Sequence, residues 1–353
     1  MSFNYSSTPP KSICILRLSA LGDITHALPI FYTLRHTWPE TKITWIIGKL
    51  EYELVKHIGG VEFIIFDKNG GLSAYNKMRQ DLISQRFDVL LHMQMSLRAS
   101  LISLLIKAKI KIGFDKKRAK DLQWLFTNTK IQNKKNQHVI DSFFCFTEAM
   151  GIKEKQYQWD IPLIEEDVIA AKKLLNTDSK YITISPCSSK AYRNWNTPGY
   201  AAIADYVSQK YHYKVVLTGG SSEIEHQYAN EIKQQASCSL VNLVGKTSVR
   251  ELLSIIKNTE FMVSPDSGPA HMATAMNTPV VGLYASTNPD RARPYLSADW
   301  TIDRYPEAIL KKYNKNIADV AWGTRVRELW AMDLITIEDV KNKIDKFMLE
   351  NYK

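Results

Sequence analysis

Apolar and polar positions change period in blocks along the chain. Near the start, ICILRL (13–18) is a short apolar run with β-branched residues. It gives way to ITHALPIFYTLRHTWP (24–39), where apolar positions recur at helical spacing. The same succession continues through KITWIIG, EYELVKHIG, VEFIIFD, AYNKMRQDLISQR and FDVLLHMQ, then a helix expected over 97–108, and closes on KIGFD. Strands alternating with helices at this spacing predict parallel βαβ units. MGIKEKQYQWDIPLIEEDVIAAKKLLNTDSK then reads as a linker and one helix. Alternation restarts with YITISPC, TPGYAAIADYVSQKY, KVVLTGG, SEIEHQYANEIKQQ, LVNLVGK, SVRELLSIIKNT, EFMVSPD, GPAHMATAMN and PVVGLYAS. The pattern loosens after Tyr295 until a terminal helix, where Thr336 and Asp339 stand at capping-box spacing. The expected architecture is two successive doubly wound α/β domains, 1–165 and 166–325, with a helical segment over 326–353. A ligand is expected in a cleft at the C-terminal ends of the strands.

Composition narrows the class. A chain of 353 residues is long for one core, and its 45% hydrophobic and 23% charged content is that of a folded globular protein. No apolar run approaches the roughly 20 residues of a membrane span. MSFNYSSTPP lacks the basic and apolar regions of a signal peptide, and the four scattered cysteines form no metal knuckle or disulfide framework. A reducing cytoplasm is the expected setting. The net charge of +10 is uneven: residues 1–165 carry 23 Lys and Arg against 15 Asp and Glu, the remainder 23 against 21. The densest basic patch is Lys107, Lys109, Lys111, Lys116, Lys117, Arg118 and Lys120, preceded by LRASLISLLIKAKI. A basic amphipathic helix there points to an anionic membrane surface, a solvated face being the alternative. No recognition motif with interleaved aromatics points to nucleic acid.

Candidate chemistry lies at strand ends. After EFMVSP, the residues Asp266, Ser267, Gly268 and Pro269 open a helix whose N-terminus suits a diphosphate, with His271 in its first turn. The plainer alternative has Asp266 and Ser267 capping and His271 packing. In ISPCSSKAYRNW, the hydroxyls of Ser188 and Ser189 precede Lys190 and Arg193, a set that favours phosphate oxygens, while Trp195 reads as a packing anchor. LTGGSSEIE places Gly219 and Gly220 where a ribose or base fits, with Glu223 or Glu225 as acceptors for sugar hydroxyls, and Thr247 follows a fourth strand. The chain lacks the G-x-G-x-x-G and P-loop patterns, which argues against a dehydrogenase or an NTPase. In the first half, RLSALGDITH puts a lone carboxylate, Asp23, at a strand-to-helix turn, where it either caps the helix or accepts a substrate proton. Pro29 suggests that this helix is kinked or starts late.

ILRLSALGDITHALPIFYTLRHTWP together with VSPDSGPAHMATAMNTPVVGLYASTNP resembles glycosyltransferase family 9, the lipopolysaccharide heptosyltransferases, over nearly the whole chain. The resemblance implies a GT-B fold, two Rossmann-like domains facing across a cleft, the first for acceptor and the second for an ADP-heptose donor. It implies inverting, metal-independent transfer onto Kdo–lipid A at the cytoplasmic face of the inner membrane, with no cofactor beyond the nucleotide sugar. Asp23 matches the family's catalytic base. Asp266, Ser267, Gly268 and His271, and with them Ser188, Ser189 and Arg193, match donor loops, to which we add Gly219, Glu223 and Thr247. Arg118 matches an acceptor-side position, and Arg17, Ser19, Gly22 and Arg98 are placed on the same side. Ser142 stands where some members have Arg, which leaves the heptosyltransferase step open. A transferase for a different nucleotide sugar, a nucleotide-sugar epimerase and a non-catalytic ADP-binding module are the competing readings.

Overall fold

Both halves of the chain are parallel sheets fed by helices. A computed structural model describes residues 8–351. The first unit, ending at Pro162, runs β1 (Ser12–Leu16), α1 (Leu21–Thr37), β2 (Lys42–Gly48), α2 (Lys49–Val55), β3 (Glu62–Phe66), α3 (Gly71–Leu82), β4 (Phe87–His92), α4 (Leu97–Leu105), β5 (Ala108–Gly113), β6 (Thr129–Lys130) and α5 (Val139–Ala149). The second, from Leu163, runs α6 (Glu165–Leu175), β7 (Tyr181–Ile184), α7 (Thr197–Tyr211), β8 (Lys214–Leu217), α8 (Glu223–Gln235), β9 (Leu240–Asn242), α9 (Val249–Asn258), β10 (Met262–Pro265), α10 (Gly268–Ala275), β11 (Val280–Tyr284), α11 (Pro289–Ala292), β12 (Thr301–Asp303), α12 (Tyr305–Tyr313) and α13 (Ile337–Asn351).

The two sheets share one topology. The first orders its strands β3-β2-β1-β4-β5-β6 and the second β9-β8-β7-β10-β11-β12, every pair parallel. In each, the first strand lies beside the fourth, so the strand order reverses between β1 and β4 and again between β7 and β10. Such switch points leave a crevice outside the strand C-termini, where ligands of open α/β sheets bind. The central strands are apolar because helices cover both faces of a parallel sheet: β1 is buried from Ile13 to Leu16 and β11 throughout.

Several elements depart from the sequence expectation. The helix expected over 97–108 ends at Leu105, because Lys107-Ala108-Lys109-Ile110-Lys111-Ile112 alternates with period two and pairs as β5 along β4. The basic amphipathic helix therefore does not exist as a unit. Lys109 pairs with Asp88 at 2.7 Å and Lys111 donates to the Ser103 carbonyl at 2.7 Å. Helix α1 does not start late: it begins at Leu21 and continues past Pro29 without a break to Thr37. A proline cannot bond the carbonyl four residues back. Here that carbonyl, Thr25 O, accepts from the Trp159 indole at 2.9 Å, so the connecting segment repairs the gap. The same segment bonds through Gln156 N to the Thr33 hydroxyl at 2.9 Å. Elements β6, α5, β12 and α12 had no clear signature in the sequence. No helix among the described residues is long and apolar enough to cross a membrane.

Terminal helix α13 belongs to the second core through Val340, Ile344 and Phe347. Its cap forms as the spacing predicts: Asp339 N donates to the Thr336 hydroxyl at 3.1 Å and Thr336 N to the Asp339 carboxylate at 2.9 Å. Trp195 is the packing anchor of the same core. It is fully buried, donates to Ile335 O at 3.0 Å, and packs where a side chain on Gly199 would stand, so truncating it costs about 3–5 kcal/mol.

Candidate active site

At the first switch point, the turn after β1 carries Asp23 into the first turn of α1. Ala20 caps that helix without a side-chain oxygen, and Asp23 Oδ2 instead accepts the Ala20 N–H at 3.2 Å. The same Oδ2 lies 2.5 Å from Arg17 Nη2. Both partners hold one oxygen. Asp23 Oδ1 makes no hydrogen bond within the protein among the described residues, and the side chain is 39% exposed. The capping bond and the arginine pair thus both fall on Oδ2, which leaves Oδ1 able to accept a proton.

Arg17 is buried, donates to Met93 O at 2.5 Å, and lies over the Phe143 ring at 5.3 Å. It orients Asp23 from beneath. Ser19 is held by Gln94, whose amide oxygen accepts from Leu18 N at 2.6 Å and Ser19 N at 3.3 Å, and whose nitrogen donates to the Ser19 hydroxyl at 3.2 Å. Gln94 comes directly from the end of β4, the other strand of the switch point. It is the residue that sequence reasoning missed; a polar side chain just after FDVLLHM was its only signal. Gln94 is fixed in turn by Gln123, fully buried, which donates to Gln94 O at 3.1 Å and His92 O at 2.8 Å. Burial, aided by the charge of Lys111, pushes His92 down to about 3, so this imidazole is neutral.

Other first-unit candidates fall outside this turn's hydrogen bonding. Gly22 is buried and offers its carbonyl to Thr25. Arg98 is exposed in the first turn of α4. Arg118 is already engaged: it pairs with Asp115 of its own loop and donates to the Ser142 hydroxyl of α5 at 2.7 Å and to Gln132 O, just after β6, at 2.5 Å. Ser142 is thus a partner of Arg118.

At the second switch point, the loops after β7 and β10 meet. Arg193 Nη1 lies 3.2 Å from Asp266 Oδ2, and the other carboxylate oxygen is 3.7 Å from His271 Nε2. Burial by itself raises the Asp266 carboxyl, but His271, Arg193 and Thr287 beside it outweigh that and hold the group below the usual carboxylate value. Ser267 caps α10 weakly, accepting from Ala270 N at 3.4 Å while sharing a hydrogen bond with Ser264 Oγ at 2.8 Å. Pro269 has no N–H, so Gly268 supplies the remaining backbone donor of that turn. A helix start this sparse in donors needs a cation to hold a diphosphate; Arg193 stands beside it, with the His271 ring as a further polar group. The Ser188 hydroxyl and Arg193 Nε are buried polar atoms with no protein partner. Two groups in one loop that are shielded from water yet unbonded suit a ligand's oxygens. Ser189 is exposed beside them.

Around the rim, Gly219 and Gly220 follow β8. Glu225 is closed onto its own loop, accepting from Gly220 N at 2.7 Å and the Ser222 hydroxyl at 2.6 Å, so it holds the glycine turn in shape and is not an open acceptor. Glu223 is exposed at the start of α8 and Thr247 is half-buried ahead of α9. No cluster of three or more His, Cys, Asp or Glu placed to hold a metal occurs among the described residues.

Comparison with known proteins places this geometry in a family. The model of glycosyltransferase family 9 (heptosyltransferase) matches residues 75–316. The lipopolysaccharide core heptosyltransferase OpsX of Haemophilus influenzae is 37% identical over 340 residues, 96% of this chain and 98% of the relative. The chain belongs to glycosyltransferase family 9. It is therefore a transferase. Lipopolysaccharide heptosyltransferase 3 of Escherichia coli is 22% identical over 284 residues, 78% of this chain and 83% of its own. Among solved structures, a glycosyl transferase family 9 protein from Veillonella parvula superposes with a TM-score of 0.80 at 22% identity, covering 99% of each chain. The E. coli ADP-heptose lps heptosyltransferase II gives 0.72 at 19% identity, covering 97% of this chain and 100% of that one. These likenesses establish the α/β, GT-B type fold, two Rossmann-like units in one chain. The two switch points thus differ in what they present: one a carboxylate with an open oxygen, the other a buried carboxylate paired with Arg193 beside a helix start.

Proposed function

We propose that the protein is an inverting, metal-independent heptosyltransferase that moves heptose from ADP-L-glycero-D-manno-heptose onto the Kdo/heptose inner core of lipopolysaccharide. Its acceptor is anchored by lipid A, and the enzyme works at the cytoplasmic face of the inner membrane. The names of its relatives, heptosyltransferases of the lipopolysaccharide core, support the substrate class. The observation that carries the reading is Asp23, with Oδ2 fixed by Arg17 and Ala20 and Oδ1 open at the β1/β4 switch point.

In this mechanism Asp23 Oδ1 takes the proton of the acceptor hydroxyl as its oxygen attacks the anomeric carbon. The bond to the diphosphate breaks on the opposite side, and one inversion results. A single base suffices, unlike the paired carboxylates of glycosidases. Arg193, His271, the Gly268 N–H and the Ser188 hydroxyl stabilise the departing charge on ADP, with Ser189, Ser267, Gly219, Glu223 and Thr247 completing the donor side. Arg98, Arg118 and Ser19 serve the acceptor side, while Arg17 positions the base and Gly22 lends its backbone to the turn.

The test is transfer with purified protein, ADP-heptose and Kdo-containing lipid A, read by product mass and by the anomeric configuration of the new linkage. Transfer with inverted configuration that persists in excess EDTA is expected. Retained configuration or loss of transfer in EDTA overturns the mechanism. Release of free sugar without acceptor, or transfer only from another nucleotide sugar, overturns the substrate reading.

A further inference from the structure

The first unit carries an apolar stripe that its own core does not cover. On α4, Leu97, Leu101 and Leu104 stand four and three residues apart, hence on one face, and are 57%, 43% and 61% exposed. The opposite face, with Ala99 and Ile102, is the one packed into the core. Beside this helix lies the loop after β5, where Leu122 and Leu125 are exposed on either side of Gln123. The Gln123 side chain pins that loop to the Gln94 carbonyl, three residues before α4 begins, so loop and helix adjoin. The loop also presents Lys116, Lys117 and Lys120, all exposed, with Lys116 over the Trp124 ring at 5.6 Å. Of the nearby acids, Asp115 is taken by Arg118, leaving exposed Asp121 against three lysines. Leucines next to solvated ammonium groups match a bilayer surface, where the apolar side chains enter the acyl boundary and the lysines meet anionic headgroups.

We propose that α4 and the loop over 116–125 form a docking face for an anionic phospholipid surface. The choice of lipid over a protein partner rests on this charge complementarity and on the reading that the acceptor is lipid-anchored. The face is tied to the reaction: Gln123 holds Gln94, and Gln94 holds the turn that carries Asp23. A membrane-bound acceptor would thus meet the protein beside its catalytic turn.

Partition of the purified protein onto phosphatidylglycerol-containing vesicles and onto pure phosphatidylcholine vesicles tests the face without reading sugar transfer, so its outcome is separate from that of the transferase assay. The wild-type protein should bind the anionic vesicles far better and be released by high salt. Changing Lys116, Lys117 and Lys120 together to Gln should weaken partition about a hundredfold, at roughly fivefold per lysine. Leu101→Gln with Leu104→Gln should weaken it about tenfold, with an unchanged melting temperature because both side chains already face solvent. Leu310→Gln with Lys315→Gln, on the second unit, should leave it unchanged. Equal binding to both vesicle types, or wild-type partition by either first-unit variant, overturns the proposal. So does an equal loss from the second-unit variant. A wild-type dimer that the leucine variant makes monomeric, with no vesicle binding, would instead assign the stripe to a second copy of the chain.

Discussion

The two switch points are the same piece of topology with a carboxylate–arginine pair in each, open in one and closed in the other. In the first, the carboxylate is 39% exposed and one oxygen is open, while its arginine is buried beneath it. In the second, the carboxylate, its arginine and its histidine are all buried together, at 10%, 15% and 8% exposure. That difference in exposure of the carboxylate changes what each group can do. An open carboxylate over a buried cation can take a proton and remain oriented. A carboxylate closed in between an arginine and a histidine is not open to a substrate, but it holds both side chains in place. The helix starts agree. Helix α1 begins on Ala20 and depends on Asp23 for its cap, whereas α10 has its own Ser267 and leaves Asp266 for Arg193 and His271.

The sharpest way to break this contrast is Asp23→Asn. Asparagine keeps an oxygen for the Ala20 N–H but cannot serve as a base. Turnover should fall by about 10²–10⁴ with ADP affinity nearly unchanged, while the melting temperature drops because buried Arg17 is left with a neutral partner. Retention of more than about a tenth of the wild-type rate would reduce Asp23 to a cap. On the other side, Arg193→Ala should weaken ADP by roughly 10- to 100-fold, the worth of a charged hydrogen bond, and adenosine much less. Equal losses in calorimetric titrations would remove Arg193 from the phosphate site.

Asp266 offers a test by pH. Its folded carboxyl is held below the ordinary 3.8, so its contribution is complete above that value and disappears as pH falls through the lower folded one. Asp266→Asn should cost about 3 kcal/mol at neutral pH, because Arg193 is left buried without its partner, and should flatten the acid limb of a denaturation series. A limb as steep as wild type would show that the pair does not govern acid stability. The smallest effect concerns α1. Trp159→Phe orphans the Thr25 carbonyl and should cost about 1 kcal/mol, and the cost should shrink when Pro29→Ala restores a backbone donor. Additive losses in that cycle would refute the repair.

How much of this was legible in the chain depends on the range of the interaction concerned. The βαβ rhythm, the packing role of Trp195 and the Thr336–Asp339 cap were readable, since local periodicity and short side-chain reach decide them. Asp23, Asp266, Arg193 and His271 could be nominated because a strand end followed by small and polar residues is a local signal. The end of α4 at Leu105 was written in the alternation of 107–112, but it takes pairing with β4 to favour strand over helix there. Other features had no local trace. Gln94 reaches across some 75 residues to Ser19, Trp159 across 134 to Thr25, and Arg193 across 73 to Asp266. Each is a hydrogen bond whose partner is chosen by the order of strands in a sheet or by where a connecting segment lies. The sequence by itself determined which groups stand at the strand ends. Tertiary structure decided which oxygen of Asp23 is open, because that depends on Arg17 and Ala20 binding the same one and leaving the other.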